Sequence, residues 1–355
     1  MAMRARAVWF REPRAVEIRE EDLPPPGAGE VLVHTVCSAV SHGTEMLVYR
    51  GEVDPGLPLD LPALRGGFAF PIKYGYACVG RVTAAGPGVA GLHPGDLVFA
   101  HHPHQTAFIL PAGQAVPLPP GCSPEEAALL ANLETALTAM LDAAPRVGEC
   151  AVVLGQGTVG LVVAQLLRRI PGVAVVAVEP LARRRAVSRT VGIPTVLNPA
   201  QDDVAAVVRT LTGGRGADLV VEASGTPAAL QGALELAGLE GRVVVLSWYG
   251  QKPVTLDLGG AFHRRRLRLV ASQVGHLPAE VSSRWDRARR LEVARALLAE
   301  GELRLAPLIT HRIPFDRAAE AYALVDRHPE ETVQVVLTYH GGVAGAGGPA
   351  PGNGG

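Results

Sequence analysis

The run CAVVLGQGTVGLVVAQLLRR, Cys150 to Arg169, constrains the fold of this chain more than any other segment. Five apolar residues of strand character pass directly into Gly155-Gln156-Gly157-Thr158-Val159-Gly160, and an amphipathic helical stretch follows at once. A glycine-rich turn between a buried strand and a helix has a specific use. Gly155 permits the tight turn, Gly157 lets backbone approach a pyrophosphate, and Gly160 lets helix and sheet pack closely. The first helical turn, with Thr158 and Val159, offers free N–H groups to the phosphates. The expectation is a dinucleotide site.

The pattern continues beyond that turn. VAVVAVE, ADLVVEAS and GRVVVLS read as short apolar strands, separated by the helical stretches ARRRAVSRTVG and PAALQGALELAG. Strands alternating with amphipathic helices make a doubly wound parallel sheet of Rossmann type, an α/β fold. Glu179 ends the second strand, about 20 residues past the glycines, where a carboxylate accepts the adenosine ribose hydroxyls and repels a 2′-phosphate. NAD is therefore favoured. NADP stays possible, because Arg183, Arg184 and Arg185 follow immediately, and Arg184 is taken as a coenzyme contact. Ser224 and Gly225, Ser247 and Trp248, and Ser272 follow the ends of later strands. They border the crevice where ligands of such sheets bind.

Ahead of this unit the chain changes character. Residues 1–122 are rich in proline and glycine, with short apolar runs such as VLVHTV and DLVFA, and read as a β-rich domain. MAMRARAVWF is read as a first strand rather than a signal peptide. SPEEAALLANLETALTAMLDAA opens a helix, with Ser123 as N-cap and Pro124 at the first helical position. The expected division is residues 1–122 for substrate, 123–275 for coenzyme with its leading helix, 276–340 returning to the first domain, and a disordered low-complexity tail over 341–355. A length of 355 residues suits two domains. A formal net charge of −1 offers no attraction for nucleic acid or an anionic membrane, and no apolar run is long enough to span a bilayer. The four scattered cysteines, without a C-x-x-C pair, fit reduced thiols in a cytoplasm.

The order of these parts, with E-x-x-V-x-V from Glu30, the loop CSAVSHGTE, Tyr74-Gly75-Tyr76, PGDLVF and GQGTVG, resembles the medium-chain dehydrogenase/reductase superfamily of alcohol dehydrogenase-like proteins. The resemblance covers nearly the whole chain to about residue 340. It implies a GroES-like substrate domain packed on the coenzyme domain, an active site in the cleft, and a homodimer or homotetramer. Zinc-dependent members hold catalytic zinc with a cysteine, the histidine of a G-H-E motif, and a later cysteine or glutamate. Laid on those motifs, this chain has Ser41 at the cysteine, Tyr76 and Ala77 at the His-Glu pair, and Ala131 or Asn132 near the third ligand. Hydroxyls and amides are poor zinc donors, so no zinc is expected. The four closely spaced cysteines of the structural zinc lobe are also absent from the sequence.

Chemistry without zinc then falls to side chains. Tyr76 replaces a metal ligand and is the first candidate for proton handling; His42 is a candidate relay. Ser41 and Thr44 are candidates to hold the substrate oxygen, and Glu45 to orient His42 or bind a substrate hydroxyl. His101, His102 and His104 put three imidazoles in four residues and leave a metal site open. The expected activity is hydride transfer between NAD(P) and a small alcohol/ketone pair. The alternatives are an NADPH-dependent enoyl or quinone reductase, and a catalytically silent dinucleotide-binding protein.

Overall fold

The computed structural model describes residues 3–59 and 66–339. The tail expected to be disordered, and the centre of the proline-rich segment read as a pocket wall, lie outside the described residues. β1 (Met3–Glu12) and β2 (Ala15–Leu23) form an antiparallel ribbon. β3 (Glu30–Val40) runs into α1 (Thr44–Arg50). Four more strands follow: β4 (Cys78–Ala85), β5 (Leu97–Ala100), β6 (Ala107–Pro111) and β7 (Val116–Pro117). β3 pairs with both β4 and β6 and lies at the middle of this sheet.

The helix expected from Ser123 is two helices, α2 (Pro124–Ala127) and α3 (Leu130–Ala143), and the Ser123 side chain makes no capping bond. The coenzyme domain then alternates β8 (Cys150–Leu154), α4 (Thr158–Arg168), β9 (Ala174–Val178), α5 (Ala182–Thr190), β10 (Thr195–Leu197), α6 (Val204–Leu211), β11 (Ala217–Glu222), α7 (Pro227–Leu236), β12 (Ala237–Val245) and β13 (Arg268–Ala271). These strands form one parallel sheet in the order β10-β9-β8-β11-β12-β13. Every residue of β8 is buried, because helices cover both faces of the sheet; that is why CAVVL lacks polar alternation. Strand order reverses between β8 and β11, which opens the crevice at their carboxyl ends.

After α8 (Arg287–Glu300), which packs on α3, the chain returns to the first domain. β14 (Ile309–Pro314), α9 (Ala318–Arg327) and β15 (Gln334–Thr338) follow, and β15 pairs antiparallel with the end of β3, Val335 opposite Val40 and Thr338 opposite Cys37. The C-terminal return therefore clamps the strand that carries the CSAVSHGTE segment. Only Ser41 to Gly43 of that segment is loop. All four cysteines are free. Among the described residues no helix is long and apolar enough to cross a membrane.

Candidate active site

The crevice between β8 and β11 is shaped for close backbone approach. Gly155 has φ +92°, and a β-carbon there would sit 2.8 Å from the backbone of Ala223 and Ser224 at the end of β11. A β-carbon on Gly160 would sit 2.1 Å from the Gly155 carbonyl oxygen, so only glycine lets α4 start this near the turn. Gly157 faces open space, with the nearest atom, of Arg184, at 4.0 Å. Val159 is half-buried in the first turn of α4. Glu179 stands at the end of β9, but buried: its carboxylate accepts the N–H of Gln156 at 2.7 Å and of Leu181 at 3.0 Å. It thus orders the glycine turn from below.

Two expected coenzyme contacts have other partners. Thr158 turns its hydroxyl to Val333 O and Gln334 Oε1, at 3.1 and 3.0 Å, which ties the start of α4 to β15. Arg184 donates to Thr332 O at 3.1 Å and Pro329 O at 3.4 Å, also on the C-terminal return. Both are inter-domain fastenings, and the sequence could not show this because their partners lie about 150 residues or more away. Past β11, fully buried Glu222 gathers the N–H of Ser224 at 2.6 Å, the Ser224 hydroxyl at 2.6 Å, the N–H of Gly225 at 3.0 Å and the Tyr249 hydroxyl at 2.9 Å. Ser247 Oγ takes a further bond from Gly225 N–H at 2.8 Å. Glu222 organises the crevice rim and was missed; an acid directly after the apolar run LVV of β11 was its signal. Trp248 is 39% exposed, its ring 5.9 Å from Phe68 of the first domain. Ser272 donates its N–H to Val245 O at 2.9 Å, and its buried hydroxyl lies beside the Asp142 carboxylate.

Ser41, Thr44 and Tyr76 come together. The Tyr76 hydroxyl donates to Ser41 Oγ at 2.6 Å, with Thr44 beside it. Burial and then the Glu45 carboxylate push the Tyr76 phenol up to about 12, so the ring is a neutral donor near pH 7. Glu45 neither orients His42 nor reaches solvent. It is 0% exposed and accepts Ser41 N–H at 3.0 Å, the Tyr322 hydroxyl at 2.7 Å and His104 Nε2 at 2.9 Å. His104 Nδ1 meets Ser38 Oγ at 2.7 Å, and Ser38 meets the Tyr339 hydroxyl at 2.8 Å. A buried carboxylate is tolerable only with such a set of donors. The reason for the difference is topological: α9 and β15 close over the inner face of α1, so Glu45 turns inward.

His42 is not a relay near neutrality. Its Nε2 accepts the Val335 N–H at 3.2 Å, and burial, with Arg184, His311 and Arg50 nearby, holds it down to about 3. The proton of the neutral ring is therefore on Nδ1, a buried atom with no partner among the described residues. Gln334, the neighbour of Val335, bonds Thr158, so His42 lies beside the start of α4.

The three clustered imidazoles diverge. His101 Nε2 meets Glu134 Oε2 at 2.9 Å, His102 stacks on Phe108 with ring centres 4.0 Å apart, and His104 joins the Glu45 network. Alternation along extended backbone sends neighbours to opposite faces, and each finds its own partner. His102 is 8% exposed, and burial lowers its ring from 6.5 to about 3. The unfolded chain thus binds this proton first, and stability falls as pH drops below about 6.5, continuing to about 3. At pH 5 the expected loss from this group is about 2 kcal/mol. Denaturant titrations at pH 7 and pH 5 should show a drop smaller by about that amount in His102→Phe, which keeps the stack and removes the titration; equal drops would refute it.

The first domain matches, over residues 27–119, the family model described as alcohol dehydrogenase GroES-like domain. Residues 158–291 match the model described as zinc-binding dehydrogenase. D-guloside 3-dehydrogenase of Escherichia coli K12 is 30% identical over 327 residues, covering 88% of this chain and 93% of that protein. L-Threonine 3-dehydrogenase of Pyrococcus horikoshii is 29% identical over 340 residues, covering 87% and 91%. An Escherichia coli oxidoreductase/dehydrogenase of unknown specificity superposes with TM-score 0.80 at 18% identity, over 96% of this chain and all of the other. That superposition supports the same arrangement of sheets.

Proposed function

The chain belongs to the medium-chain dehydrogenase/reductase superfamily, and from that membership we propose that it moves a hydride between NAD and a secondary alcohol/ketone pair without zinc. As an NAD(P)-dependent dehydrogenase it acts on a small alcohol-type substrate. The nicotinamide, when bound, supplies the hydride acceptor or donor. The protein's own part is to seat it. The glycine turn leaves a cradle that side chains would fill, and the free Nδ1–H of His42 beside α4 is a donor in want of an anionic partner. The preference for NAD over NADP rests on the place of Glu179 just past β9, where its negative charge opposes a 2′-phosphate while its oxygens are held by the Gln156 and Leu181 N–H groups.

Zinc does not fit the residues at the catalytic-metal position. Ser41 and Tyr76 bond directly to each other at 2.6 Å, and neither a neutral hydroxyl nor a neutral phenol matches the thiolate, imidazole or carboxylate that zinc selects. This bond is the observation that carries the reading. It joins a neutral phenol O–H to the serine hydroxyl of the loop after β3. In alcohol oxidation the carbinol carbon gives its hydrogen and electron pair to NAD⁺, while the hydroxyl proton leaves through these groups to solvent. In ketone reduction Ser41 turns its own O–H to the Tyr76 oxygen, and the freed phenol O–H donates a hydrogen bond to the oxygen on which charge develops. The sugar and amino acid alcohols named by the two relatives support a substrate with further polar groups around the carbinol.

The test is nicotinamide absorbance against polyols, glycosides, hydroxy amino acids, ketones, enones and quinones, with metal analysis of the same sample. Turnover is expected on a hydroxylated secondary alcohol or its ketone, with NAD preferred and no stoichiometric zinc. Tyr76→Phe should lower kcat about 100-fold and leave NADH affinity unchanged. Turnover of enones or quinones alone would establish the reductase alternative. Tight coenzyme binding without any turnover would establish a silent dinucleotide-binding protein.

A further inference from the structure

Among the described residues Trp248 is the one large aromatic side chain left exposed, at 39%, and the hydride-transfer scheme does not use it. Its place is fixed from both sides. The Leu246 N–H still pairs with Glu222 O at 2.9 Å, so the chain leaves the sheet at the carboxyl end of β12, beside β11. Ser247 Oγ then accepts the Gly225 N–H, and the Tyr249 hydroxyl reaches back to Glu222. Gly250 has φ +59°, and a β-carbon there would collide with the Glu52 carbonyl oxygen just past α1. The same oxygen accepts the Gln251 N–H at 3.1 Å. Trp248 therefore stands at the carboxyl end of the parallel sheet, where the coenzyme domain meets the first domain.

From there a row of rings leads to the Tyr76–Ser41 pair. The Trp248 ring centre lies 5.9 Å from Phe68, Phe68 lies 5.7 Å from Tyr74, and Tyr74 lies 6.3 Å from Tyr76, whose hydroxyl meets Ser41. All three fall within the roughly 4.5–7 Å of aromatic contact. Phe68 and Tyr74 are 8% and 3% exposed, so the row is packed in the middle and open at its Trp248 end. Small-molecule sites combine apolar and aromatic walls with a few polar groups that fix orientation. Here Ser41 and Tyr76 are the polar groups and the indole is the wall. An indole held from both sides loses little freedom when a ligand covers it, so ordering offsets little of the contact energy. Its face is electron-rich and attracts polarised C–H bonds. Each carbon of a polyhydroxylated ring carries an electron-withdrawing oxygen, and ring closure gathers several such C–H bonds on one face with the hydroxyls at the edge. An open-chain polyol has the same groups but must give up rotational freedom to present such a face.

We propose that Trp248 determines the specificity of the substrate site and that it selects a polyhydroxylated ring, a pyranoside or cyclic polyol, by stacking on the ring's C–H face. The proposal rests on the dehydrogenase reading and deepens it by naming the substrate class. The carbinol oxygen meets the phenol of Tyr76, while the rest of the ring extends toward Trp248 and covers the indole that is open in the free protein. Trp248 moves neither hydride nor proton. It is a positioning residue, and its effect falls on substrate affinity.

The experiment compares kcat and KM for pyranosides and cyclic polyols with those for open-chain polyols matched in carbon and hydroxyl number. The proteins are wild type, Trp248→Ala, Trp248→Leu and Trp248→Phe, with NADH binding and thermal melting measured in parallel. Wild type is expected to prefer the cyclic members. In Trp248→Ala that preference, taken as the ratio of kcat/KM, should fall about 10-fold, with the loss carried by KM. Trp248→Phe should keep most of the preference, and Trp248→Leu, apolar but without a ring face, should lose it. If Trp248→Ala fails to fold, the contrast between the Phe and Leu variants decides alone. Equal preference in all folded variants would make Trp248 only a part of the domain contact and overturn the proposal. So would a weakening of NADH binding as large as that of the cyclic substrates, which would make the indole a seat for the nicotinamide. An aromatic secondary alcohol preferred over every polyhydroxylated ring would overturn the assigned class. Should wild type bind NADH yet turn over no alcohol or ketone, the dehydrogenase reading itself fails and the inference falls with it, a result distinct from the others.

Discussion

Gly160→Ala is expected to cost this protein its coenzyme and part of its stability. The added β-carbon would stand 2.1 Å from the Gly155 carbonyl oxygen and 3.5 Å from the Ala223 side chain. The first contact is with backbone, so no side chain can swing away; either α4 shifts along the sheet or the turn opens. α4 cannot shift freely, because Leu161, Val162, Val163, Ala164 and Leu167 are fully buried against the parallel sheet and α3. The turn therefore gives way, and it is the element that must present its N–H groups to the pyrophosphate. Overpacking of this kind costs about 1–3 kcal/mol of stability. An NADH fluorescence titration should show affinity reduced by about 100-fold or more, equivalent to about 2.7 kcal/mol. Urea unfolding should show the lower midpoint. Unchanged affinity would mean that the coenzyme does not use this turn, and the functional reading would fall with it.

The second large effect is expected at a residue that no substrate touches. Glu45→Ala removes the acceptor shared by Ser41 N–H, the Tyr322 hydroxyl and His104 Nε2, all three in surroundings that hold little water. Tyr322 and His104 are both 0% exposed, so their donors cannot turn to solvent. Breaking a buried network by deleting its anion costs about 3–5 kcal/mol, against a total of about 5–15 for a folded domain. The damage also travels outward, because Ser41, now without its backbone partner, is the residue that receives the Tyr76 hydroxyl. Guanidinium unfolding should record the loss, and a variant rescued by low temperature should show reduced kcat. A cost under about 1 kcal/mol would show that water or a shifted His104 replaces the carboxylate.

Much of the architecture is legible in the sequence. Apolar runs between amphipathic helices identify the parallel sheet, and GQGTVG placed directly after CAVVL identifies its ligand-binding end. The local signals were strong because strand, turn and helix are contiguous there, so sequence distance and spatial distance coincide. The meeting of Ser41 and Tyr76 was legible as well, through motif positions. What those groups do was not. A histidine is by type a relay near neutrality, but the packing of β15 against β3 buries the His42 ring nitrogen beside cations and takes away its charge. Glu45 reads as a first-turn acid of α1, and helix α9 makes it a core residue instead.

The line between the two kinds of knowledge runs along contact order. Residues whose surroundings lie within one strand–turn–helix unit, such as Gly155 and Gly160, could be read from their spacing, whereas Glu179, expected at a ribose, turns its carboxylate into the glycine turn. Residues whose charge state or direction depends on distant elements could not. Thr158 answers to Gln334, His104 to Glu45 and Tyr322, and His101 to Glu134 and Arg290. Periodicity reports which face of an element is apolar, but not which buried polar group waits on the opposite element. Only the closing of the C-terminal strands and of α8 over the first domain brings those partners within hydrogen-bonding distance, and with them the site's electrostatics.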